Sequence, residues 1–498
     1  MIKTLIAFII SIASLYAQGW SEFERWVEEM RVQWKVPGVA VAVVQGDKVL
    51  FVKGFGVRRI DESGPVDPET IFQLASVSKV FTAAGLGVGV DKGLLKWDEE
   101  IIKNLPQFAL KDSYPSRFAT ARDLLAHRTG LPAFRGDLLG KMGYSSEEIL
   151  YRVRFIEPAT SFRNLANYSN VGFFVAGELL GRIFKTSWEK AISTQLLIPL
   201  EMKRSGFATH KDQQNVAAAH AMINGKIAVI ALDQVGGFPG ADGITSTATD
   251  MAQFMIMHLN GGVFQGKRLL KQATVREIFA PSMVSEASFS EAPPINSNAS
   301  FSYGLGWGNY NYNGFMIVEK GGALDGVRTN VTLIPELKLG ICILSNLNLT
   351  PLPEVIRAKF LEKYLGKSRT NVEAGIVKME ESIEGLFKIA PKPPGALPPS
   401  HSLEQYTGVF ESNLYGLIKI RTENGGLILE AGPALWKGRL LAWSNDTFTL
   451  LWPTINSGNE QVTFMFGPDN RAIEMQTETL GTFRRKKSYT QEISKFGF

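Results

Sequence analysis

The sequence predicts an α+β fold, an antiparallel sheet flanked by helices with an added helical lobe, followed by a small all-β domain. Three observations carry this. β-rich runs stand at both ends of the first 350 residues: GVAVAVVQGDKVLFVKGFG at 38–56, then GFMIVEK, GVRTNVTLIP and LGICILSN between 314 and 346. Between them run helical patterns broken by Gly and Pro, among them ARDLLAHRTGLP, VGFFVAGELLGRIF and TDMAQFMIMHL. Strands at both ends with helices between them suit one sheet shared by the terminal hairpins, with the helical middle forming a second lobe. Last comes IAPKPPGALPPSH, whose five prolines forbid regular structure and mark a linker. Beyond it, GLIKIRTENGGLILEAG and QVTFMFGPDNRAIEMQ are hairpin patterns with Gly-Gly and Pro-Asp-Asn turns, reading as a barrel or a sandwich.

In chain order, residues 1–17 read as an export signal. Lys3 supplies the positive start, LIAFIISIASLY the apolar centre, and Ala17 a small residue before a cut at Gln18. The apolar run is well short of the roughly 20 residues that span a bilayer, and no later stretch is long and apolar enough. An exported protein, periplasmic or secreted and without a stable membrane span, is therefore expected. In FERWVEEMRVQW, Phe23, Trp26, Val27, Met30 and Trp34 share a helical face. Gly46-Asp47 then marks a two-residue hairpin turn. After the returning strands, Val372, Ile376, Met379, Ile383 and Phe387 recur at helical spacing. The expected organisation is an export segment at 1–17, a first domain at 18–365, a helix and linker at 366–400, and a β domain with a tail at 401–498.

Composition excludes several classes. Hydrophobic residues make up 45% and charged residues 20% of the 498, so a sizeable core can form and wholesale disorder is excluded. The net charge of +5 is spread thinly, and no basic stretch interleaves with aromatics, so a nucleic-acid partner is not expected. The single cysteine, Cys342, lies in an apolar run and reads as a small buried hydrophobe. The five histidines show no zinc-type spacing, and neither a metal nor another cofactor is expected. His127 reads as part of the structure around Gly130, and Asp250 as the acid of a helix start.

LASVSKVFTAAG at 74–85 places a serine where a strand-like run turns helical. A helix starting at Ser76 offers unpaired first-turn N–H groups and a positive dipole end, which favour an alkoxide or oxyanion. Lys79 lies over Ser76, because residues three apart share a helix face. A serine hydroxyl needs a base, and lysine serves only when burial or neighbouring cations lower its proton affinity. The spacing alone is not decisive: Ser187-Trp188-Glu189-Lys190 repeats it, where a capped helix start explains the residues. Tyr168-Ser169-Asn170 precedes an apolar helix, with Ser169 or Asn170 open to a capping role and Tyr168 to packing. Lys320-Gly321-Gly322 ends a strand run, although Lys-x-Gly recurs at Lys141 and Lys338.

Together and in this order, Ser76-x-x-Lys79, Tyr168-x-Asn170 and Lys320-x-Gly322 resemble the penicillin-recognising serine hydrolases, in particular the class C β-lactamases and their esterase and peptidase relatives. PLEMKRSGF, DGITSTATDMAQF, YGLGW and GGALDGVRTNVTLIPELKLGICILSN are similar to further family segments, so the resemblance covers roughly 25–365. It implies a β-lactamase/transpeptidase-like fold, and the tail resembles the lipocalin-like barrel appended to some members. It further implies that Ser76 attacks a carbonyl and is acylated, and that Lys79 and Tyr168 share the proton work. Asn170 would bind the substrate amide, Lys320 an anionic group, and the N–H groups of Ser76 and Ala323, beside Gly322, the oxyanion. Gly321 lacks the hydroxyl that the family's β-lactamases usually carry there, which leaves peptidase and esterase activity equally open. The expected function is an exported serine hydrolase acting on a β-lactam, a D-amino-acid peptide or an ester. The alternative is a penicillin-binding protein that holds cell-wall peptides with little turnover.

Overall fold

A run of six aliphatic residues, Val39 to Val44, is wholly buried, as only a strand covered on both faces can be. In the computed structural model, which describes residues 19–207, 214–232, 237–284, 301–367, 389–454 and 458–486, this run is the second strand from one edge of an eight-stranded antiparallel sheet. The strands are β1 (Gly38–Gln45), β2 (Lys48–Gly56), β3 (Met283–Val284), β4 (Ser302–Tyr303), β5 (Gly308–Tyr312), β6 (Phe315–Leu324), β7 (Val327–Ile334) and β8 (Leu339–Ser345). Their order is β2-β1-β8-β7-β6-β5-β4-β3. The expected joining of the terminal strands occurs between β1 and β8, registered from Val39↔Ser345 to Gln45↔Leu339. Gly46-Asp47 forms the predicted turn, with Gly46 at φ 58°. The expected export segment at 1–17 and the expected helix carrying Val372 to Phe387 lie outside the described residues.

Two compact units divide the chain. The first takes Met1–Lys96, Leu180–Val235 and Pro239–Glu380, and holds this sheet. Its main helices are α1 (residues 19–33), α2 (Ser78–Asp91), α4 (Ala248–Leu259) and α5 (Leu352–Leu365). Strand alternation sorts them by face. Arg328 on β7 reaches Glu354 of α5 at 2.6 Å, while its neighbour Thr329 donates to the Leu74 carbonyl at 2.9 Å, in the turn that leads into α2. α1 lies with α5, where Lys363 sits 5.2 Å from the Trp20 ring. α4 begins as the sequence indicates, with Thr247 accepting from the Asp250 amide at 3.1 Å.

The second unit joins Trp97–Leu179 and Gly236–Phe238 to Glu381–Phe498, so the helical lobe clusters with the C-terminal β domain. Asp123, fully buried in the lobe, binds Arg128 at 2.6 Å and Arg163 at 2.9 Å and completes a capping box with Thr120. The lobe ends on α3 (Asn170–Phe184), whose start belongs to this unit. The β domain is a closed eight-stranded barrel, from Gly408–Ser412 to Gly481–Arg485, sealed by the pairs Phe410↔Arg485 and Glu411↔Arg484. Alternate residues such as Phe410, Ile418, Leu429, Leu450, Phe464 and Phe483 fill it. Its ENGG turn is made by Asn424 and Gly425, at φ 51° and 75°, rather than by the Gly-Gly pair. Among the described residues no helix is long and apolar enough to cross a membrane.

Candidate active site

The expectation that a helix starts at Ser76 needs correction. α2 starts at Ser78, and Ser76 sits in a single 3-10 turn, Ala75–Val77, wedged between the short strand Phe72–Gln73 and that helix. Ala75 is held at φ 52°, a left-handed conformation that costs a non-glycine residue about 1–3 kcal/mol and persists only where its surroundings enforce it. The enforcement is visible. The Leu74 amide donates to Ile244 O at 2.8 Å, and the Val77 amide closes the turn onto Leu74 O at 3.2 Å. Ala75 and Val77 are buried while Ser76 between them is partly exposed, so the turn lifts one hydroxyl toward solvent from a packed base.

Lys79 is wholly buried on the first turn of α2, and its Nζ donates to Ser76 Oγ at 3.0 Å and to Ala241 O at 3.1 Å. The second contact comes from the short helix Pro239–Asp242, whose Gly240 carbonyl also accepts from Thr82 Oγ1 at 2.7 Å, while the Ile244 amide donates to Ser78 Oγ at 2.9 Å. Residues 239–244 thus form a rail along α2 that fixes the amine over the serine. Only the end of this rail, from Asp242, falls in the DGITSTATDMAQF similarity, and the contacts of Gly240 and Ala241 with α2 leave no local pattern.

The third motif lies against the same turn. A Cβ at Gly322 on β6 would stand 2.4 Å from Leu74 O, 2.5 Å from Thr329 Oγ1 and 3.1 Å from Ala75 Cβ, so only glycine permits this approach. Ala323 follows, partly exposed and opposite Arg328. Lys320, two residues earlier and wholly buried, donates to the Tyr303 hydroxyl, with its Nζ 5.0 Å from that ring's centroid. Tyr303 opens the segment YGLGW, and its pairing with Lys320 depends on two strands, β4 and β6, separated by β5, which no local pattern encodes. On the opposite face of β6, Glu319 is held by Arg357.

In the second unit, Tyr168 is buried and Asn170 partly exposed at the start of α3. Ser169 between them takes the capping role, accepting from the Gly172 amide at 3.1 Å. Asn170 Nδ2 donates to Asp137 Oδ2 at 2.6 Å, and the Phe134 amide to Tyr168 O at 3.2 Å. His127, at φ 55°, lays its ring 4.6 Å from that of Tyr168 and accepts from the Ser169 amide at Nδ1, 3.0 Å away. The histidine thus props the Tyr168-Ser169 backbone. Ser187, the decoy, caps the Trp188–Ile192 helix through the Lys190 amide at 3.2 Å.

Comparison with known proteins adds to this geometry. A family model described as Beta-lactamase matches residues 23–364, and one described as a domain of unknown function (DUF3471) matches 392–491. The chain is 28% identical over 347 residues to "Unguisins hydrolase ungD'" of Aspergillus campestris, covering 66% of this chain and 61% of that protein. It is 27% identical over 314 residues to "Beta-lactamase-like protein 2" of Dictyostelium discoideum, covering 60% and 54%. The chain thus spans less than two thirds of the length of these curated relatives. Its fold matches that of the octameric penicillin-binding protein homologue from Pyrococcus abyssi with a TM-score of 0.61 and 20% identity, covering 93% of this chain and 99% of the other.

Proposed function

The chain belongs to the β-lactamase family of serine hydrolases, and from that premise we propose that it hydrolyses an amide, lactam or ester carbonyl through an acyl-enzyme on Ser76. The observation that carries the reading is the 3.0 Å contact between the Lys79 amine and the Ser76 hydroxyl. It sits in a turn whose backbone is held in a strained conformation by β6 and residue 244. A nucleophile must be presented with its base already placed, and this turn does both.

In this reading Lys79 accepts the Ser76 proton as Oγ attacks. The tetrahedral oxyanion that results is stabilised by the backbone N–H groups of Ser76 and Ala323, which the approach of Gly322 to Ala75 brings onto neighbouring segments. Lys320 supplies a fixed cation for an anionic substrate group, and Tyr303 orients it. Tyr168 and Asn170 match the family's second motif, serving proton transfer and substrate amide binding. Collapse of the tetrahedral intermediate breaks the scissile bond, the leaving nitrogen or oxygen taking up the proton held by Lys79, and leaves the acyl group on Ser76 Oγ. Water then attacks the acyl carbonyl and returns a proton to Oγ as the acid is released. A curated relative whose name specifies a hydrolase supports turnover over mere binding. Gly321, without a hydroxyl, supports peptide-type amides or esters ahead of β-lactams as substrates. Lys3 and the apolar run behind it support export to the periplasm or medium.

Labelling separates the possibilities. Wild-type protein and Ser76→Ala are treated with a fluorescent fluorophosphonate and, separately, a fluorescent penicillin. Fluorophosphonate labelling of wild type alone is expected, with penicillin label turning over or absent. A persistent penicillin adduct would mean a binding protein with little turnover, and labelling of the alanine variant would sink the assignment.

A further inference from the structure

The barrel carries one residue aimed at the second motif. We propose that Tyr415 is a positioning residue for Tyr168 and Asn170, so that the C-terminal barrel sets part of the catalytic apparatus; the proposal rests on the reading of Ser76 and Tyr168 given above.

Tyr415 lies at the end of the barrel's first hairpin loop, between the strands Gly408–Ser412 and Gly416–Glu423. It is 2% exposed, and burial pushes its phenol up to about 12, so it stays a neutral hydroxyl at working pH. That hydroxyl accepts the Gly136 amide at 3.1 Å, and the Arg135 guanidinium stands 5.7 Å from its ring centroid. Gly136 is the middle of a four-residue segment that does two things for the motif. Phe134, on one side, donates its amide to Tyr168 O and places its ring 5.5 Å from the Tyr168 ring. Asp137, on the other, accepts from Asn170 Nδ2 at 2.6 Å. Local preference does not favour the segment: Phe134 sits at φ 58°, a strained conformation for a non-glycine residue. Gly136 packs so closely on α3 that a Cβ there would stand 3.0 Å from Val171 Cγ2. The Tyr415 hydroxyl on the Gly136 amide anchors the segment from outside.

The loop is itself clamped at the lobe. Tyr144 donates to Tyr415 O at 2.8 Å, and Arg152 to Asn413 O and Leu414 O at 3.1 and 3.2 Å. A second barrel turn adds the Ala434 amide on Met142 O at 2.9 Å. Five hydrogen bonds thus converge from barrel turns on residues 136–152, beside the segment that holds the motif, and they explain why this lobe clusters with the barrel.

The test compares two hydroxyl deletions in the full-length protein. Tyr415→Phe removes the contact to Gly136. Tyr406→Phe removes a hydroxyl of the same kind, bonded to Asp446 within the barrel and not directed at the lobe. With a nitrophenyl ester, Tyr415→Phe is expected to lower kcat about fivefold, the loss of one buried hydrogen bond, at nearly unchanged KM. Tyr406→Phe should leave both unchanged. Hydrogen exchange is expected to rise in peptides covering 127–137 and 165–172 in the first variant only. Equal loss of kcat in both variants, or unchanged exchange at 127–137 in Tyr415→Phe, overturns the proposal. A wild type that neither turns over the ester nor takes the fluorophosphonate would sink the reading of Ser76 alone, and the exchange comparison would still decide the brace.

Discussion

Arg357 Nη1 lies 2.7 Å from both carboxylate oxygens of Glu319, and both side chains are almost wholly buried. Burial by itself would pull the guanidinium's proton affinity down, but the charge of Glu319 outweighs it and holds Arg357 above the ordinary arginine range. The pair ties α5 to β6 one residue before Lys320, and Tyr310 adds its hydroxyl to Glu319 at 3.1 Å.

Because desolvation has already been suffered by both charges, removing one partner costs more than removing both. Arg357→Met is expected to destabilise by about 3–5 kcal/mol, and adding Glu319→Gln to recover most of that. Thermal denaturation of the two variants decides it, and additive losses would contradict the pairing.

Lys79→Met should cut the rate at which a fluorophosphonate phosphonylates Ser76, with loss of fluoride, by about 10²–10⁴, the range for deleting a general base. Melting temperature should not fall, since a methionine fills the buried channel to Ala241 without a charge. Stopped-time labelling beside a melt separates this from unfolding: loss of both together would make Lys79 a structural residue.

Gly322→Ala tests the contact between the third motif and the nucleophile's turn. Its methyl would meet a backbone oxygen, Leu74 O, at 2.4 Å, and a backbone atom cannot rotate away. The strand must withdraw from Ala75, so labelling of Ser76 should fall at least tenfold at an overpacking cost of about 1–3 kcal/mol. Gly93→Ala, in open space, provides the contrast despite its φ of 73°; its labelling rate should match wild type.

How much of this was legible follows from the range of each interaction. Gly46-Asp47, the capped helix start at Ser187 and Asp250 in the first turn of α4 are decided within four residues, and the sequence displayed them. The sheet was legible from its unbroken apolar runs, and the contact of Lys79 with Ser76 from their spacing only in combination with the other two motifs, since Ser187 and Lys190 repeat that spacing. The start of α2 was misplaced by two residues because the turn at 75–77 is stabilised by Ile244 and Gly322, far along the chain. For the same reason the Ala241 contact of Lys79, the Tyr303 contact of Lys320 and the Tyr415 contact of Gly136 left no pattern: each joins segments that meet only after folding. His127 was read as structural, and the backbone it meets, the Ser169 amide, is 42 residues away, out of reach of any local pattern.

His258 gives the pH dependence. It lies on the last turn of α4, its Nδ1 donating to Phe254 O at 3.0 Å, among the rings of Phe254, Phe279 and Trp307. Burial in this apolar nest pushes its pKa down to about 4 from an ordinary 6.5. Between those values the unfolded chain binds a proton that the folded chain refuses, so acidification favours unfolding. The stability is fully present above about pH 6.5 and drains away as the pH falls toward 4. Between pH 7 and 4.5 the loss from this one group is about 2–3 kcal/mol. Carboxylates add their own acid sensitivity, so the quantity to measure is the difference between wild type and His258→Phe, which keeps the ring and removes the proton site. Urea melts at the two pH values should show the variant losing less stability than wild type by that amount; parallel losses would mean that the histidine is already reached by solvent in the folded protein.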